Sequence, residues 1–305
     1  MNLNDLHIAV VVADVGSLTA ASVQLGFAPP TLSKAIARLE RASKVKLFEH
    51  AGRGMRPTAY GRAFLERARH IDLAAGDLHA ALRDLRQGRS GVLRWGLGMG
   101  VPDRWVLPLA ARQTERGVRW MLSGGMTDSL MRGVAAGELE FALLGLPAPP
   151  ARPLVWEPLC DDPMVPIAPR GHALLKGGRR PSWAQLARAR WVVPAPGTAT
   201  FAEFQRNFAA HGLEAPPPWV ASSYSNRELG LGLALDAVVL VPRSAAGLPE
   251  VQRDFGLLVP PGGWSSDRRL ALVRRADAYL SPAAESAIAQ LHDIARAEPP
   301  IVQAK

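Results

Sequence analysis

A single cysteine, Cys160, stands among the 305 residues, so no disulfide can form within the chain. A reducing cytoplasm fits that, as does any compartment where disulfides are not needed. No segment reaches about eighteen apolar residues, the minimum for a helical membrane span. The opening stretch carries Asp5 and Asp14 and no basic residue ahead of its short apolar run. It reads as neither a signal peptide nor an anchor, and a cytoplasmic location is the expectation. Catalytic signatures are missing as well. There is no Gly-x-Ser-x-Gly, no phosphate-cradling Gly-Lys-Ser/Thr loop and no His-Glu-x-x-His. The seven histidines (7, 50, 70, 79, 172, 211 and 292) are scattered without metal-ligand spacing. Cys160 has no CxxC partner, and Asp161-Asp162 reads as a solvated turn. Gly96-Leu97-Gly98-Met99-Gly100 follows a strand but places its third glycine one position early for a dinucleotide loop, and no fitting acidic residue follows. An enzyme, a metal and a resident cofactor are therefore not expected.

What is present is ordinary globular composition, 48% hydrophobic and 21% charged. The length suits two domains. The formal charge of +9 fits a polyanionic partner, though arginine-rich composition alone gives the same sign. The excess sits toward the N-terminus: residues 1–90 hold 13 Lys and Arg against 8 Asp and Glu, the remainder 23 against 19. All eight tryptophans lie beyond residue 90, which places a domain boundary nearby.

Leu3, Leu6, Val10 and Ala13 recur at helical spacing, and Gly16-Ser17 breaks that helix. Ser17 is positioned to cap a short second helix, Leu18 to Leu25, and Gly26-Phe27 forms a turn. A third helix runs from about Pro30 to Ala42, since prolines are tolerated in a first turn. Its apolar stripe is Leu32, Ile36 and Leu39. Its other face carries Thr31, Ser33, Lys34, Ala35, Ala37, Arg38 and Arg41. Two short helices joined by a tight turn can form a DNA-binding helix-turn-helix; a plain helical hairpin with a solvated face is the alternative. A strand at Val45, Leu47 and Phe48, a turn at Ala51-Gly52-Arg53-Gly54 and a return through Met55-Arg56-Pro57 make a small wing, with Lys44, Lys46, Arg53 and Arg56 on or beside it. Thr58 caps a long helix to Gln87. Its stripe of Phe64, Leu65, Ala68, Ile71, Ala75, Leu78, Leu82 and Leu85 reads as a dimer seam or as a helix of the following domain's core.

Taken together, these residues resemble the LysR-type regulators. The match runs through Leu6, Gly16-Ser17-Leu18-Thr19-Ala20-Ala21, Leu25, Pro30, Leu32-Ser33, Ile36, Leu39-Glu40, Leu47-Phe48-Glu49, Arg53, Thr58 and Gly61. The resemblance implies an all-α winged helix-turn-helix, a long linker helix that pairs subunits, and a two-lobed α/β domain resembling type 2 periplasmic binding proteins. The expected division is 1–59 for the DNA-binding domain (motif about 18–37), 60–90 for the linker and 91–297 for the effector-binding domain. Within the last, lobe one takes 91–160 and 268–297 and lobe two takes 161–267. Double-stranded DNA, a second copy in a dimer or tetramer and RNA polymerase are the implied partners. The expected DNA-contacting set is Ser17, Thr19, Pro30, Thr31, Ser33, Lys34, Arg38, Arg53 and Arg56. The family's Ser-Gln-Pro at the start of the recognition helix is Ala28-Pro29-Pro30 here, so its glutamine base contact does not carry over. His50 and Pro57 replace the usual Arg and Leu.

Beyond residue 90, strands at Val92–Leu97, Val118–Leu122 and Phe141–Leu144 alternate with helices from Pro102 and from Met126, which argues for a parallel, doubly wound sheet. The chain crosses to a second lobe around Leu159 to Ile167. There Trp191-Val192-Val193, a helix from Phe201 to His211, Leu229 to Leu235 and the strand 237–242 follow, before a return through 267–274 and a closing helix 282–296. Gly98, Met99, Gly100 and Val101 in lobe one and Gly197, Thr198 and Thr200 in lobe two are expected to meet a small-molecule effector in the cleft. Thr198 and Thr200 can each be a helix cap, a ligand contact or both. Helix N-termini and the lack of acidic residues in either loop make an anion the expected ligand. A solute-binding module without DNA function is the alternative.

Overall fold

The structure, a computed structural model, describes residues 1–52, 54–87, 91–178, 180–222 and 227–297. The chain forms two compact units, Met1–Arg86 and Gln87–Lys305. Among the described residues no helix is long and apolar enough to cross a membrane.

In the first unit α1 (Leu3–Val15) is capped by Asn2, whose side chain accepts from the Asp5 N–H at 2.7 Å, and ends at Gly16 with φ +70°. The expected amphipathic stripe is not what forms. Leu3 is exposed, and Leu6, Ile8, Ala9, Val10, Val11 and Val12 are all buried, because α1 runs through the middle of the unit with neighbours on several sides. Helix α2 (Leu18–Leu25) starts at Ser17, whose hydroxyl accepts from Ala20 N, and stops at Gly26 in the left-handed region. Helix α3 (Pro29–Ser43) begins one residue earlier than expected. Its cap residue, Ala28, offers no side-chain bond, but Pro29 and Pro30 in the first turn have no N–H to leave unsatisfied. Ala35 joins Leu32, Ile36 and Leu39 in the core instead of facing out. Strands β1 (Phe48–Ala51) and β2 (Gly54–Pro57) pair antiparallel as the wing. Then α4 (Ala59–Gln87) follows, its start fixed by Thr58, whose hydroxyl accepts from Gly61 N at 2.9 Å. Leu65 and Ala68 bury into the core of their own unit, with Phe64 packed against it, so this part of the α4 stripe serves the unit itself and not a second subunit. Ile71, Leu78, Leu82 and Leu85 stay exposed.

The second unit holds two five-stranded mixed sheets. In lobe one β3 (Val92–Gly98), α5 (Asp103–Glu115), β4 (Arg119–Gly125), α6 (Thr127–Ala135), β5 (Phe141–Leu146) and β6 (Leu154–Asp161) follow in order. Lobe two has β7 (Met164–Pro169), α7 (Trp183–Ala187), β8 (Trp191–Pro194), α8 (Ala199–Ala209), β9 (Val220–Ser222), α9 (Glu228–Leu235), β10 (Val238–Pro242), α10 (Arg243–Ala246), α11 (Pro249–Asp254) and β11 (Phe255–Leu257). The chain then returns to lobe one as β12 (Arg269–Arg275) and closes with α12 (Pro282–Ala297). The orders are β4-β3-β5-β12-β6 and β11-β7-β10-β8-β9. Three strands of each sheet are joined by parallel pairing, as the helix alternation requires. The sheets are not wholly parallel, because β12 is antiparallel to β5 and β6, and β7 is antiparallel to β10 and β11. Each sheet is covered on both faces by its own pair of apolar clusters.

Candidate functional site

Helix α3 and the β1–β2 hairpin of the first unit both present side chains to solvent. On α3, Pro30, Thr31, Ser33 and Lys34 are exposed, while Leu32, Ala35 and Ile36 anchor the helix from behind. Lys34 makes no ion pair or hydrogen bond among the described residues. Arg38, one turn on, is engaged elsewhere. Its Nε donates to Asp5 Oδ2 at 2.9 Å and its Nη2 to Asp5 Oδ1, forming a two-pronged pair with a carboxylate that is 2% exposed. The sequence placed Arg38 with Lys34 on a free face; the structure makes it the clamp between α3 and α1. Glu40 sets the wing. Its carboxylate accepts from the N–H groups of Leu47 at 2.9 Å and Phe48 at 3.3 Å, and from Lys46 Nζ at 2.7 Å. Burial pushes the Glu40 carboxyl up, but Lys46 and the two N–H groups outweigh it and hold it below the usual range. Arg56 lies opposite Glu49 across the wing and donates to it at 2.8 and 3.2 Å; both side chains are exposed, so the pair adds little to stability. Ser17 is half-buried and Thr19 exposed at the start of α2. Arg53 lies outside the described residues.

The second unit contains a cleft of about 350 Å³ between its lobes, at the C-terminal ends of the parallel strands, where the connection from β3 goes one way to β4 and that from β4 crosses back over β3 to β5. Met99, Gly100, Gly197, Thr198 and Thr200 line it as expected; Gly98 and Val101 are not among its lining residues. Gly98 is the last residue of β3, and a Cβ there would meet Leu143 O at 3.2 Å and Leu144 Cδ2 at 3.0 Å, so its smallness serves packing. Val101 packs against the lobe-one core. Gly100 at φ +81° and Gly197 at φ +87° are in the left-handed region that turns the chain from strand to helix. Thr198 is the cap of α8: its hydroxyl accepts from Phe201 N at 3.2 Å and donates to Ala195 O at 2.8 Å. Thr200 has no such partner among the described residues, so of the two it is the hydroxyl available to a ligand.

The cleft also holds groups that no motif announced. Asp128, Glu203, Glu228 and Arg268 line it together with Met99, Met126, Met131 and Met164. The two loops lack acidic side chains, as read from the sequence, but α6, α8 and α9 supply three to the cleft, which weakens the ground for expecting an anion. Asp162, read as part of a solvated turn, is 1% exposed. Its carboxylate accepts from Ser244 N and Oγ at 2.9 Å each and from Arg268 Nη1 at 2.5 Å. Glu203 accepts from Ser266 Oγ at 2.9 Å and Asp267 N at 3.3 Å, and Ser266 Oγ accepts from Met164 N at 3.0 Å. Both crossovers between the lobes are thus stitched to each other and to lobe two directly behind the cleft. Glu228 is 8% exposed, and burial pushes its carboxyl up to about 7. It is the one charge in the apolar run ELGLGLAL, a signal that was visible in the sequence.

Residues 3–62 match the model of the bacterial regulatory helix-turn-helix protein, lysR family, and residues 86–296 match that of the LysR substrate binding domain. The HTH-type transcriptional regulator CbbR of Xanthobacter flavus is 28% identical over 293 residues, covering 93% of this chain and 85% of the relative. GalR of Pseudomonas putida is 29% identical over 301 residues, covering 95% and 73%. In fold, a full-length OxyR variant from Pseudomonas aeruginosa superposes with a TM-score of 0.62 at 20% identity, covering 97% of this chain and 95% of the other. CbnR, a LysR family transcriptional regulator, gives 0.59 at 23%, covering 97% and 99%. The chain belongs to the LysR family of transcriptional regulators.

Proposed function

We propose that this regulator reads DNA with the exposed face of α3, grips the phosphates with its wing, and changes activity when a small molecule fills the cleft. The observation that carries the DNA-binding half is Lys34: a cation with no partner among the described residues, on a helix held rigidly from behind, beside Thr31 and Ser33. Ser17 and Thr19 sit at the N-terminus of α2, where N–H groups favour a phosphate. Arg56, and Arg53 by its place in the sequence, serve the backbone. Arg38 is reassigned as the residue that orients α3. Lys34→Ala is expected to weaken binding to a specific site roughly 5- to 150-fold, the equivalent of about 1–3 kcal/mol for a lost base contact. Measured on specific and random duplexes in parallel, an equal loss on both makes Lys34 a phosphate contact, and no loss on either removes α3 as the reading element. A solute-binding module without DNA function is not favoured, because the helix-turn-helix model matches residues 3–62.

The exposed apolar residues of α4, with Ile71 43%, Leu78 60% and Leu82 47% accessible, support pairing with a second copy through this helix. A dimer, or a tetramer of paired dimers, would place two half-sites whole helical turns apart, and full-length CbnR has been solved with its target DNA. Leu78→Asp is expected to shift light-scattering mass from the oligomer to the monomer at micromolar concentration; an unchanged mass removes α4 from the interface. RNA polymerase is the further partner we assign, the cytoplasm the location, and neither catalysis nor a resident cofactor forms part of the proposal. The effector acts through its differential affinity for two arrangements of the oligomer.

A further inference from the structure

Resting on the reading of the cleft as the effector site, we propose that Glu228 is its recognition group and that the effector pairs an apolar body with a protonated amine. Four observations lead there. Glu228 lines the cleft, is more than nine-tenths buried, and has no hydrogen-bond or ion-pair partner among the described residues. A buried carboxyl in that state is costly unless something completes it. Around it the charge is one-sided: Asp128 and Glu203 also line the cleft, Arg268 is its only described cation, and Asp162 already neutralises Arg268. The rest of the wall is uncharged: beside the hydroxyls of Thr127, Thr198, Thr200 and Ser222 it carries four methionines that adapt to an irregular hydrocarbon or aromatic surface. An anionic ligand would enter against three carboxyl groups with no free countercharge to meet it; a cation on an apolar stem meets both the wall and Glu228.

The same arrangement makes recognition depend on pH. The strands on which α9 packs, β7, β8 and β10, carry no titratable side chain. The charged groups facing the cavity are Asp128, Glu203 and Arg268, with Arg227 at the N-cap just before Glu228. Burial holds the Glu228 carboxyl at about 7, so near pH 6 the empty cleft holds it mostly protonated. An amine binds the ionised form, so affinity rises by about tenfold between pH 6 and pH 8. Without ligand the sign is opposite. The folded chain keeps a proton that the unfolded chain releases, so stability falls as pH rises from about 4.5 to about 7 and is level above.

The test titrates the full chain calorimetrically with three probes of one shape and different heads: benzylamine, benzyl alcohol and benzoate, at pH 6 and pH 8. Benzylamine should bind best and tighten about tenfold with pH. Glu228→Gln should weaken it by about tenfold at pH 8 and flatten the pH dependence. Met131→Trp, which fills the cleft, should abolish binding. In melting curves without ligand, the stabilisation of Glu228→Gln over the parent should grow from pH 4.5 to pH 7. Benzylamine that fails to bind, benzylamine indifferent to Glu228→Gln, or melting differences that do not vary with pH each overturn the assignment. Benzoate as the better ligand, lost in Met131→Trp, overturns Glu228 while sustaining the cleft. Any probe whose binding survives Met131→Trp overturns the cleft itself.

Discussion

Replacing Asp162 by alanine is expected to destabilise the effector-binding unit by about 3–5 kcal/mol, the usual loss when one partner of a buried ion pair is removed. Arg268 is 6% exposed, so its guanidinium would remain buried without a countercharge, and Ser244 would lose the acceptor of both its N–H and its hydroxyl. A Cβ on Gly145 would lie 2.1 Å from Arg268 Nη2, so the strand end is glycine because the guanidinium lies against it. Denaturant unfolding followed by tryptophan fluorescence reads this unit selectively, since every tryptophan lies beyond residue 90. The double variant Asp162→Asn with Arg268→Met should be more stable than Asp162→Ala, because removing both charges leaves none stranded. A loss below about 1 kcal/mol for Asp162→Ala, the range of an exposed pair, would contradict the buried assignment.

Gly61→Ala should abolish DNA binding by a different route. Gly61 lies in the first turn of α4, where an added Cβ would sit 1.9 Å from Leu47 O and 2.9 Å from Leu47 C. Both are backbone atoms, so no side-chain rotation relieves the clash, and the Leu47 carbonyl already accepts from Thr58 N at 3.0 Å. Overpacking typically costs about 1–3 kcal/mol and more where backbone must move. Here the shift separates α4 from the wing and undoes the Thr58 cap together with the Glu40 bonds to Leu47 and Phe48. Hydrogen exchange should quicken across α1, α3 and the wing while the sheets of the second unit keep their protection. Operator affinity within twofold of the parent would show that the wing and α4 need not meet this closely.

The contrast between these two sites shows what the sequence could carry. Caps, breaks and stripes are local, so α2, the turn at Gly26, the prolines opening α3 and the extent of α4 were all legible. So was the order of strands and helices that brings Met99, Gly100, Gly197, Thr198 and Thr200 to one cleft. Pairings made across the fold were not. Asp5 and Arg38 are 33 positions apart, and Asp162 and Arg268 are 106 apart; neither partner alone distinguishes a clamp from a solvated charge. Strand β6 was hidden because Pro158 interrupts its pattern. The proline is tolerated since β6 is an edge strand with its register shifted beside Leu270 and Ala271. Strands β9 and β11, three residues each, are too short to show a period. The acidic lining of the cleft was missed because Asp128, Glu203 and Glu228 come from helices outside the two glycine loops that marked the site.

The most direct test of the whole account is a mobility-shift titration of the full chain on DNA upstream of its own gene, at one fixed salt concentration with increasing random competitor. The account predicts a discrete complex that survives roughly a thousandfold excess of competitor by mass, since specific sites are bound at least about 10³ more tightly than random sequence. Competitor that strips both DNAs in parallel would leave only charge attraction from a basic protein, and would contradict the assignment of α3 as a reading helix.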